Sequence, residues 1–175
     1  MQIAVHSKQR GGKDTVSGII TELCPWFERD ALADPMKEAY SRITGWPREF
    51  LEHQKNTVPE IRKQIIFLGQ ARKSLVRDTY WVDKVAEKDN IVIPDLRFKI
   101  EVDGLRNSPH KCVLIHIERP RHLRALGGTL SNEDHASETD LDDFEDWDYM
   151  IDNSGSKSQL REKVVAILKE LELIK

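Results

Sequence analysis

The sequence predicts an α/β domain built around a mainly parallel sheet. Short apolar runs typical of buried strands alternate along the chain with segments whose apolar residues recur at helical spacing. One run, at residues 112–117, is almost continuously apolar, as expected for a strand that is covered on both faces. At 175 residues, the chain is most simply a single domain that spans residues 1–175.

Five apolar runs predict the strands of this sheet. Each run is bounded by turn-forming or charged residues, which is where a buried strand ends. The predicted strands are residues 3–5, 27–32, 90–93, 112–117 and 149–151.

Helices are predicted between these strands from apolar spacing and from signals at their ends. Pro35 opens the second helix and Gly45 follows its last residue. Thr79 is the expected N-cap of a short helix, and Ser156 or Ser158 caps the last one. The predicted helices are residues 15–23, 35–43, 61–76 with an interruption near Gly69, 79–87, a polar segment that ends at 107, and a terminal helix through 171.

Two segments lack a regular pattern. Residues 45–59 are the least regular part of the chain. Residues 119–140 are long, polar and charged, and they contain Gly127 and Gly128. Because long connections of this kind are usually functional, we predict a loop or lid at residues 119–140.

The composition limits the classes of function. Hydrophobic residues make up 39% and charged residues 33% of the chain, which fits a globular protein in water. The formal net charge of −3 gives no argument for a nucleic-acid partner or a membrane partner. Cys24 and Cys112 lie far apart without metal-ligand spacing. No apolar run approaches the ~18 residues of a membrane span, so we expect a cytoplasmic protein.

The most informative segment lies between the first strand and the first helix. It ends in Gly11-Gly12-Lys13, and a loop at this place exposes backbone N–H groups at a helix N-terminus. Such a loop binds phosphate, and a lysine at its end neutralises phosphate oxygens. The pattern G-x-x-x-x-G-K-[ST] is met in part, because Ser7 replaces its first glycine and Asp14 replaces its hydroxyl residue. A glycine-rich turn that only caps a helix is the alternative.

Polar side chains also follow the later strands. Ligands bind at the carboxyl ends of strands in open α/β sheets, so these residues are expected to converge on one crevice. Asp95 is placed to hold Mg²⁺ or its waters, with a helix or turn cap as the alternative. Arg97 is placed to clamp a phosphate with two hydrogen bonds, although a lone arginine is more often a solvated surface charge. The other members of this set are Asp34, Lys37, Arg119 and Arg121.

Several motifs occur in order along nearly the whole chain: Gly12-Lys13-Asp14-Thr15, Leu32-Ala-Asp-Pro-Met-Lys37, Tyr80-Trp-Val82, Ile93-Pro-Asp-Leu-Arg-Phe98 with Glu101, Ile117-Glu-Arg-Pro120, His135-Ala-Ser-Glu138 and Asp148-Tyr-Met-Ile-Asp-Asn153. Together they resemble the motifs of deoxynucleoside monophosphate kinases of the kind encoded by bacteriophages. The first, the fourth and the sixth are the more specific, because ordinary phosphate loops lack them.

The resemblance implies a three-layer P-loop kinase fold. A helical substrate-binding region is expected at about residues 34–80 and the lid at about residues 119–140. The implied activity is transfer of the γ-phosphoryl group of ATP, with Mg²⁺, to a deoxynucleoside 5′-monophosphate. The expected partner is this small substrate, a homodimer is left open, and the implied location is the host cytoplasm if the protein is viral.

Phosphoryl transfer requires two phosphate ends to be held in line and their charge to be neutralised. The predicted catalytic residues are Lys13, Asp95, Arg119 and Arg121, the two arginines closing over the transferring group from the lid. The residues predicted to bind ATP are Arg10, Gly11, Gly12, Lys13, Asp14, Thr15 and Arg124, with Asp14 and Asp95 organising Mg²⁺. The residues predicted to bind the acceptor are Asp34, Lys37, Arg72, Arg77, Arg97 and Glu101.

Two other functions fit the same motifs. A kinase of another small phosphorylated acceptor, such as phosphomevalonate, would share the Gly-Lys-Asp-Thr type of loop. A regulatory module that binds nucleotide without transferring phosphate is the second alternative.

Overall fold

The computed structural model describes residues 1–54, 57–130 and 133–175. Its centre is a five-stranded sheet in the order β2-β3-β1-β4-β5, and every neighbouring pair of strands is parallel. The predicted α/β class and parallel sheet are therefore confirmed. The strands are β1 (Gln2–His6), β2 (Glu28–Arg29), β3 (Ile91–Ile93), β4 (Cys112–Glu118) and β5 (Tyr149–Asp152).

Helices connect the strands and cover both faces of the sheet. In the part of the chain that the structure describes, they are α1 (Lys13–Leu23), α2 (Asp34–Thr44), α3 (Arg48–Gln54), α4 (Pro59–Leu75), α5 (Tyr80–Ala86), α6 (Lys99–Arg106), α7 (Arg121–Ala125), α8 (Ala136–Thr139) and α9 (Lys157–Glu170). Among these described helices, none has the length and apolar character that a membrane crossing requires.

Strand β1 occupies the centre of the sheet. Ile3 pairs with Val92 of β3 on one side and with Val113 of β4 on the other. Every residue of β1 is buried, as expected for a central strand between two helical layers. Because all the strands are parallel, the loop after β1 opens between the carboxyl ends of β3 and β4.

Two apolar cores lie on the two faces of the sheet. On one face, α1 and α9 pack on the strands through residues such as Ile20 and Val164. On the other face, α5 and α6 pack through residues such as Val85 and Leu105. The fold therefore has three layers. A third, smaller core joins α2, α3 and α4 through Tyr40, Leu51, Ile61 and Ile65.

The predicted helix ends agree with the structure at two places. Gly45 follows α2 with a φ of 72°, a left-handed conformation that favours glycine. Ser156, rather than Ser158, caps α9: its hydroxyl accepts the N–H of Gln159 at 3.2 Å, and the Gln159 side chain accepts the N–H of Ser156 at 2.8 Å. This reciprocal pair is a capping box.

Two predictions of secondary structure in the first half were wrong. The structure has the two-residue β2 in place of the strand predicted at residues 27–32. β2 lies at the edge of the sheet, so β3 is the one strand of the described sheet that pairs with it. The interruption predicted near Gly69 is absent, since α4 continues through it. Met36 packs against Gly69, whose carbonyl oxygen accepts the indole N–H of Trp81 at 3.0 Å. Gly69 thus serves helix packing.

The two segments predicted to be irregular also contain helices. Residues 45–59 include α3, which Leu51 anchors in the third core. Residues 119–140 include α7 and α8 on either side of a polar connection. Helices α7 and α8 are shorter than isolated helices that are stable in water, so they depend on contacts with the rest of the molecule.

Candidate active site

The loop between β1 and α1 is shaped to present backbone N–H groups to an anion. Arg10 and Gly12 have left-handed backbone conformations, with φ of 62° and 112°. The Gly11 N–H donates to the carbonyl oxygen of Lys8 at 2.9 Å, which tightens the turn. Left-handed residues at a helix N-terminus turn successive N–H groups into one concavity, and such a concavity binds phosphate oxygens.

Both loop glycines are required by close contacts. A Cβ on Gly12 would lie 2.5 Å from Nδ2 of Asn153, and a Cβ on Gly11 would lie 2.6 Å from the Cβ of Ser7. Asn153 follows β5 and donates from Nδ2 to the carbonyl oxygen of Gly11 at 2.9 Å. In the sequence Asn153 is only the last residue of a motif, whereas in the structure its side chain supports the loop.

Ser7 is compatible with the loop despite replacing glycine. Among described residues other than glycine, only Arg10, Asn90 and Glu172 have a positive φ, so Ser7 needs no left-handed conformation. Ser7 is completely buried, and its hydroxyl donates to the carbonyl oxygen of Lys8 at 3.1 Å. The departure from the phosphate-loop pattern at this position therefore causes no backbone strain.

Lys13 begins α1 at the end of the loop. Burial and the nearby positive charge of Arg97 lower the pKa of Lys13, while Asp14, Glu138 and Asp95 act in the opposite direction. These side chains come from three different parts of the chain, the start of α1, the segment after β3 and α8, and interact electrostatically with one ammonium group. The predicted convergence of strand ends therefore holds for the loop, Asp95 and Arg97.

Asp95 and Asp14 occupy different environments. The carboxylate of Asp95 accepts the N–H groups of Leu32 at 2.7 Å and Ala33 at 3.1 Å, just before α2. Burial raises the pKa of Asp95 although these two hydrogen bonds oppose it. These are the contacts of a turn cap, the alternative considered above. Asp14 is 72% exposed and pairs with Arg29 at 3.3 Å.

Asp14 and Asp95 differ in how well they suit Mg²⁺. Among the described residues, His, Cys, Asp and Glu side chains form no group of three or more that could hold a metal ion. Mg²⁺ in nucleotide sites uses one or two carboxylates together with phosphate oxygens and water. Asp14 suits that arrangement because its carboxylate is accessible beside the loop. A metal role for Asp95 stays a prediction.

A charged cluster follows β2 on the side of the predicted acceptor. Oδ1 of Asp34 accepts Nζ of Lys37 at 3.0 Å and Nη2 of Arg48 at 2.9 Å. Lys37 also pairs with Glu52 at 2.8 Å. Burial alone would raise the pKa of Asp34, but Lys37 and the other hydrogen bonds outweigh it and hold this pKa below its ordinary value. Arg48 was missed because its segment has no regular sequence pattern.

The other residues predicted to bind the acceptor contact helices instead. The guanidinium of Arg72 lies over the ring of Tyr80, 5.7 Å from its centroid, and Arg77 pairs with Asp83 at 2.7 Å. Glu101 accepts the N–H groups of Arg97 at 2.8 Å and Phe98 at 3.1 Å and caps α6. Their roles toward an acceptor stay predictions, and the structure shows a structural role for Glu101.

The predicted lid arginines lie beside the phosphate loop. Arg124 is only 7% exposed and donates to the carbonyl oxygen of Gln9 at 3.3 Å. Arg121 and Arg124 both pair with Glu133, at 2.7 Å and 3.2 Å. Arg119 donates to the carbonyl oxygen of Asn153 at 3.3 Å. These arginines line a cleft of about 560 Å³, together with Lys8, Gly11, Phe144 and Trp147.

Two other predicted ATP-binding residues are at the rim of this region. Arg10 is exposed and its guanidinium lies over the lid segment, where a Cβ on Gly128 would be 3.2 Å from Nη1. Thr15 is exposed in the first turn of α1. Arg10 thus links the phosphate loop to the lid, a contact that the sequence pattern did not predict.

Aromatic rings form the base of the cleft. His6 of β1 stacks against His116 of β4 at 5.3 Å between ring centroids and against Trp147 at 5.4 Å. The ring of His116 is tilted relative to that of Trp147, with 5.0 Å between their centroids. Burial lowers the pKa of His6 to about 4 and also lowers the pKa of His116, so both rings are neutral near pH 7. No sequence pattern predicted a role for either histidine.

Comparison with solved structures identifies the fold. An unliganded sugar kinase from Janibacter sp. is similar with a TM-score of 0.56 and 16% identity, over 96% of this chain and 94% of that chain. Shikimate kinase from Aquifex aeolicus is similar with a TM-score of 0.60 and 12% identity, over 100% of both chains. Shikimate kinase from Acinetobacter baumannii, in complex with shikimate, is similar with a TM-score of 0.56 and 14% identity, over 99% and 95%.

These similarities show that the chain has the P-loop kinase fold. No protein-family model matches the sequence, and no curated protein matches it.

Proposed function

We propose that this protein is an ATP-dependent phosphotransferase that phosphorylates a deoxynucleoside 5′-monophosphate. The observation that carries the proposal is the set of cationic side chains at the phosphate loop. Lys13 begins α1 at the end of the loop, and Arg97 and Arg124 donate to the loop carbonyl oxygens of Ser7 and Gln9. Arg119 and Arg121 line the adjoining cleft together with Gly11. These cations suit a donor triphosphate and an acceptor phosphate that meet at the loop.

The protein's contribution to such a reaction is positioning and charge. The loop amides and Lys13 would bind the donor phosphates, and Asp14 would hold Mg²⁺ through its exposed carboxylate. Mg²⁺ supplies neutralisation of phosphate charge when bound. Arg97 would orient the acceptor phosphate, and Arg119 and Arg121 would enclose the group in transit and exclude water. Motifs that resemble those of deoxynucleoside monophosphate kinases support this choice of acceptor.

An acceptor screen tests the proposal. The full chain is incubated with ATP and Mg²⁺, and ADP release is measured with each natural deoxynucleoside and ribonucleoside monophosphate. Turnover with at least one deoxynucleoside monophosphate is expected. Lys13→Ala serves as the matched inactive variant, because losing one preorganised charge contact costs about 100-fold or more in kcat.

Other acceptors in the same screen address the alternatives. Shikimate and simple sugars represent the neighbours found by structure, and phosphomevalonate represents another small phosphorylated acceptor. Turnover with one of these and with no nucleotide would replace the proposed acceptor while keeping the phosphotransferase. ATP binding without turnover on any acceptor would instead identify a nucleotide-binding module.

A further inference from the structure

The carboxylate of Glu138 connects two parts of the site that are distant in sequence. Glu138 lies in α8, within the predicted lid segment, and is 9% exposed. Its Oε2 accepts the N–H of Gln9 in the phosphate loop at 2.6 Å. Its Oε1 accepts Nη1 of Arg97, after β3, also at 2.6 Å. A single buried carboxylate therefore sets the position of Arg97 relative to the loop.

The contacts of Arg97 also define which side of its guanidinium is held. In the described part of the chain, its side-chain hydrogen bonds all use Nη1, to Glu138 and to the carbonyl oxygens of Ser7 at 3.2 Å and Ser137 at 3.3 Å. The N–H groups of Nε and Nη2 have no hydrogen-bond partner in that part of the chain. These two groups form the edge of a guanidinium that binds two oxygens of one phosphate.

We propose that Glu138 is the positioning residue of the phosphoryl-transfer site. One oxygen of its carboxylate holds Arg97 by Nη1, so that the Nε and Nη2 edge faces the group in transit. The other oxygen holds the N–H of Gln9 in the phosphate loop. Glu138 acts through Arg97 and the loop, with no contact of its own to the substrates. This inference rests on the proposed function and adds a residue that the function alone does not require.

The kinetic test uses Glu138→Gln in the full chain, with the acceptor found by the screen. Gln has the same shape but carries no charge and accepts with one oxygen only, so it cannot hold both partners. We expect kcat to fall about 10- to 100-fold, as for other groups that orient a functional side chain. We expect the KM for ATP to stay the same or fall, because the variant site is more positive. Equal losses in kcat and in ATP binding would overturn the proposal.

A double-mutant cycle separates positioning from a general structural role. If Glu138 acts through Arg97, then Glu138→Gln should change kcat less than about 2-fold in an Arg97→Ala background. Multiplicative losses would show that Glu138 acts independently, contrary to the proposal. Asp143→Asn is the control, because it removes an exposed carboxylate a few residues after α8 that pairs with Lys99 at 2.7 Å. It should leave kcat unchanged.

A binding experiment tests the inference without any acceptor. Affinity for inorganic tripolyphosphate is measured by calorimetry for the wild type and for Glu138→Gln. The variant should bind tripolyphosphate at least as tightly as the wild type, because its site is more positive. Weaker binding would contradict the inference, whereas a failed acceptor screen would contradict only the proposed function. Should Glu138→Gln not fold, Glu138→Asp keeps the charge on a shorter side chain and should lower kcat without weakening tripolyphosphate binding.

Discussion

Asp14 is the residue at which the phosphate loop departs most from the usual pattern. The usual pattern has a hydroxyl residue at this position. The carboxylate of Asp14 is exposed beside the loop and weakly paired with Arg29. A carboxylate binds Mg²⁺ more strongly than a neutral amide of the same shape. Asp14→Asn should therefore raise the Mg²⁺ concentration that gives half the maximal rate of ADP release.

The Mg²⁺ titration distinguishes two roles of Asp14. The control is Asp30→Asn, because Asp30 follows β2 and pairs with Lys88 away from the loop. An Asp14→Asn titration identical to that of the wild type would place Asp14 outside the metal shell. It would leave Asp14 as an acidic residue in the first turn of α1.

Individual residues of the site differ in how far the sequence could reveal them. Lys13 and the loop glycines were predictable because they lie within a few residues of each other and form a pattern. Glu138 and Gln9 are 129 positions apart, and only the fold brings the carboxylate to the loop amide. Asp95 differs from both. It follows β3 as the sequence predicted, but its contacts with Leu32 and Ala33 are those of a turn cap.

The packing of α5 against α6 depends on a glycine of α6. A Cβ on Gly104 would lie 2.6 Å from Cγ1 of Val82, whose branched side chain has little freedom to move away. Gly104→Ala should therefore lower the free energy of unfolding by about 1–3 kcal/mol, measured by denaturant titration.

The matched control for this substitution is Gly18→Ala in α1. No atom lies within 4 Å of a Cβ built on Gly18, so only helix propensity changes. This variant should be more stable than the wild type by about 0.5–1 kcal/mol. Equal effects of the two substitutions would mean that the contact between Gly104 and Val82 does not limit packing.

The capping of α6 by Glu101 has a consequence for pH. Burial raises the pKa of Glu101 from 4.5 to about 7, so the folded protein holds a proton that the unfolded chain releases. The wild type should lose stability relative to Glu101→Gln as the pH rises from 4.5 to about 7. Gln can replace Glu in this role, since Gln159 completes the capping box of α9.

Denaturant titrations of both proteins across this pH range check the prediction. The quantity compared is the difference between the two free energies of unfolding, so that other titrating groups cancel. A difference that does not change with pH would show that Glu101 ionises normally in the folded protein.

Elements were predictable where they carry their own sequence signal. The terminal helix α9 has regular apolar spacing and a capping box, and the strands β3 and β4 are continuous apolar runs. Helix α3 has only seven residues, and Arg48 ties it to Asp34 of α2. A helix that depends on contacts with a neighbour leaves little trace in local periodicity.

At the scale of the whole molecule, the arginine-bearing first part of the predicted lid, around α7, is the part expected to move, while Glu138 of α8 stays bonded to the phosphate loop. Arg121 is 73% exposed and its charge is paired with Glu133. If this part of the chain closed over a phosphate, Arg121 would exchange the carboxylate of Glu133 for the phosphate. Limited trypsin digestion of the full chain should cleave within this segment, and cleavage should slow most when ATP and the acceptor are bound together. The comparisons are digestions with each ligand alone. Full protection by ATP alone would mean that the acceptor plays no part in closure.

The overall architecture was predictable because alternating strands and helices leave few arrangements for a parallel sheet. The substrate was not, because proteins of this fold act on different small molecules through side chains that the fold does not specify. We expect that choice to depend on the charged cluster around Asp34 and on the arginines of the predicted lid.

The central position of β1 also determines when the protein can fold during its synthesis. β1 is made before the other strands of the described sheet, yet both of its neighbours, β3 and β4, are made only after residue 90. Until Glu118 has emerged, this apolar strand has no complete set of partners, and contacts this distant in sequence form slowly. A nascent or truncated chain that ends before β4 therefore leaves one edge of β1 without its partner strand, and an unpaired apolar edge favours aggregation.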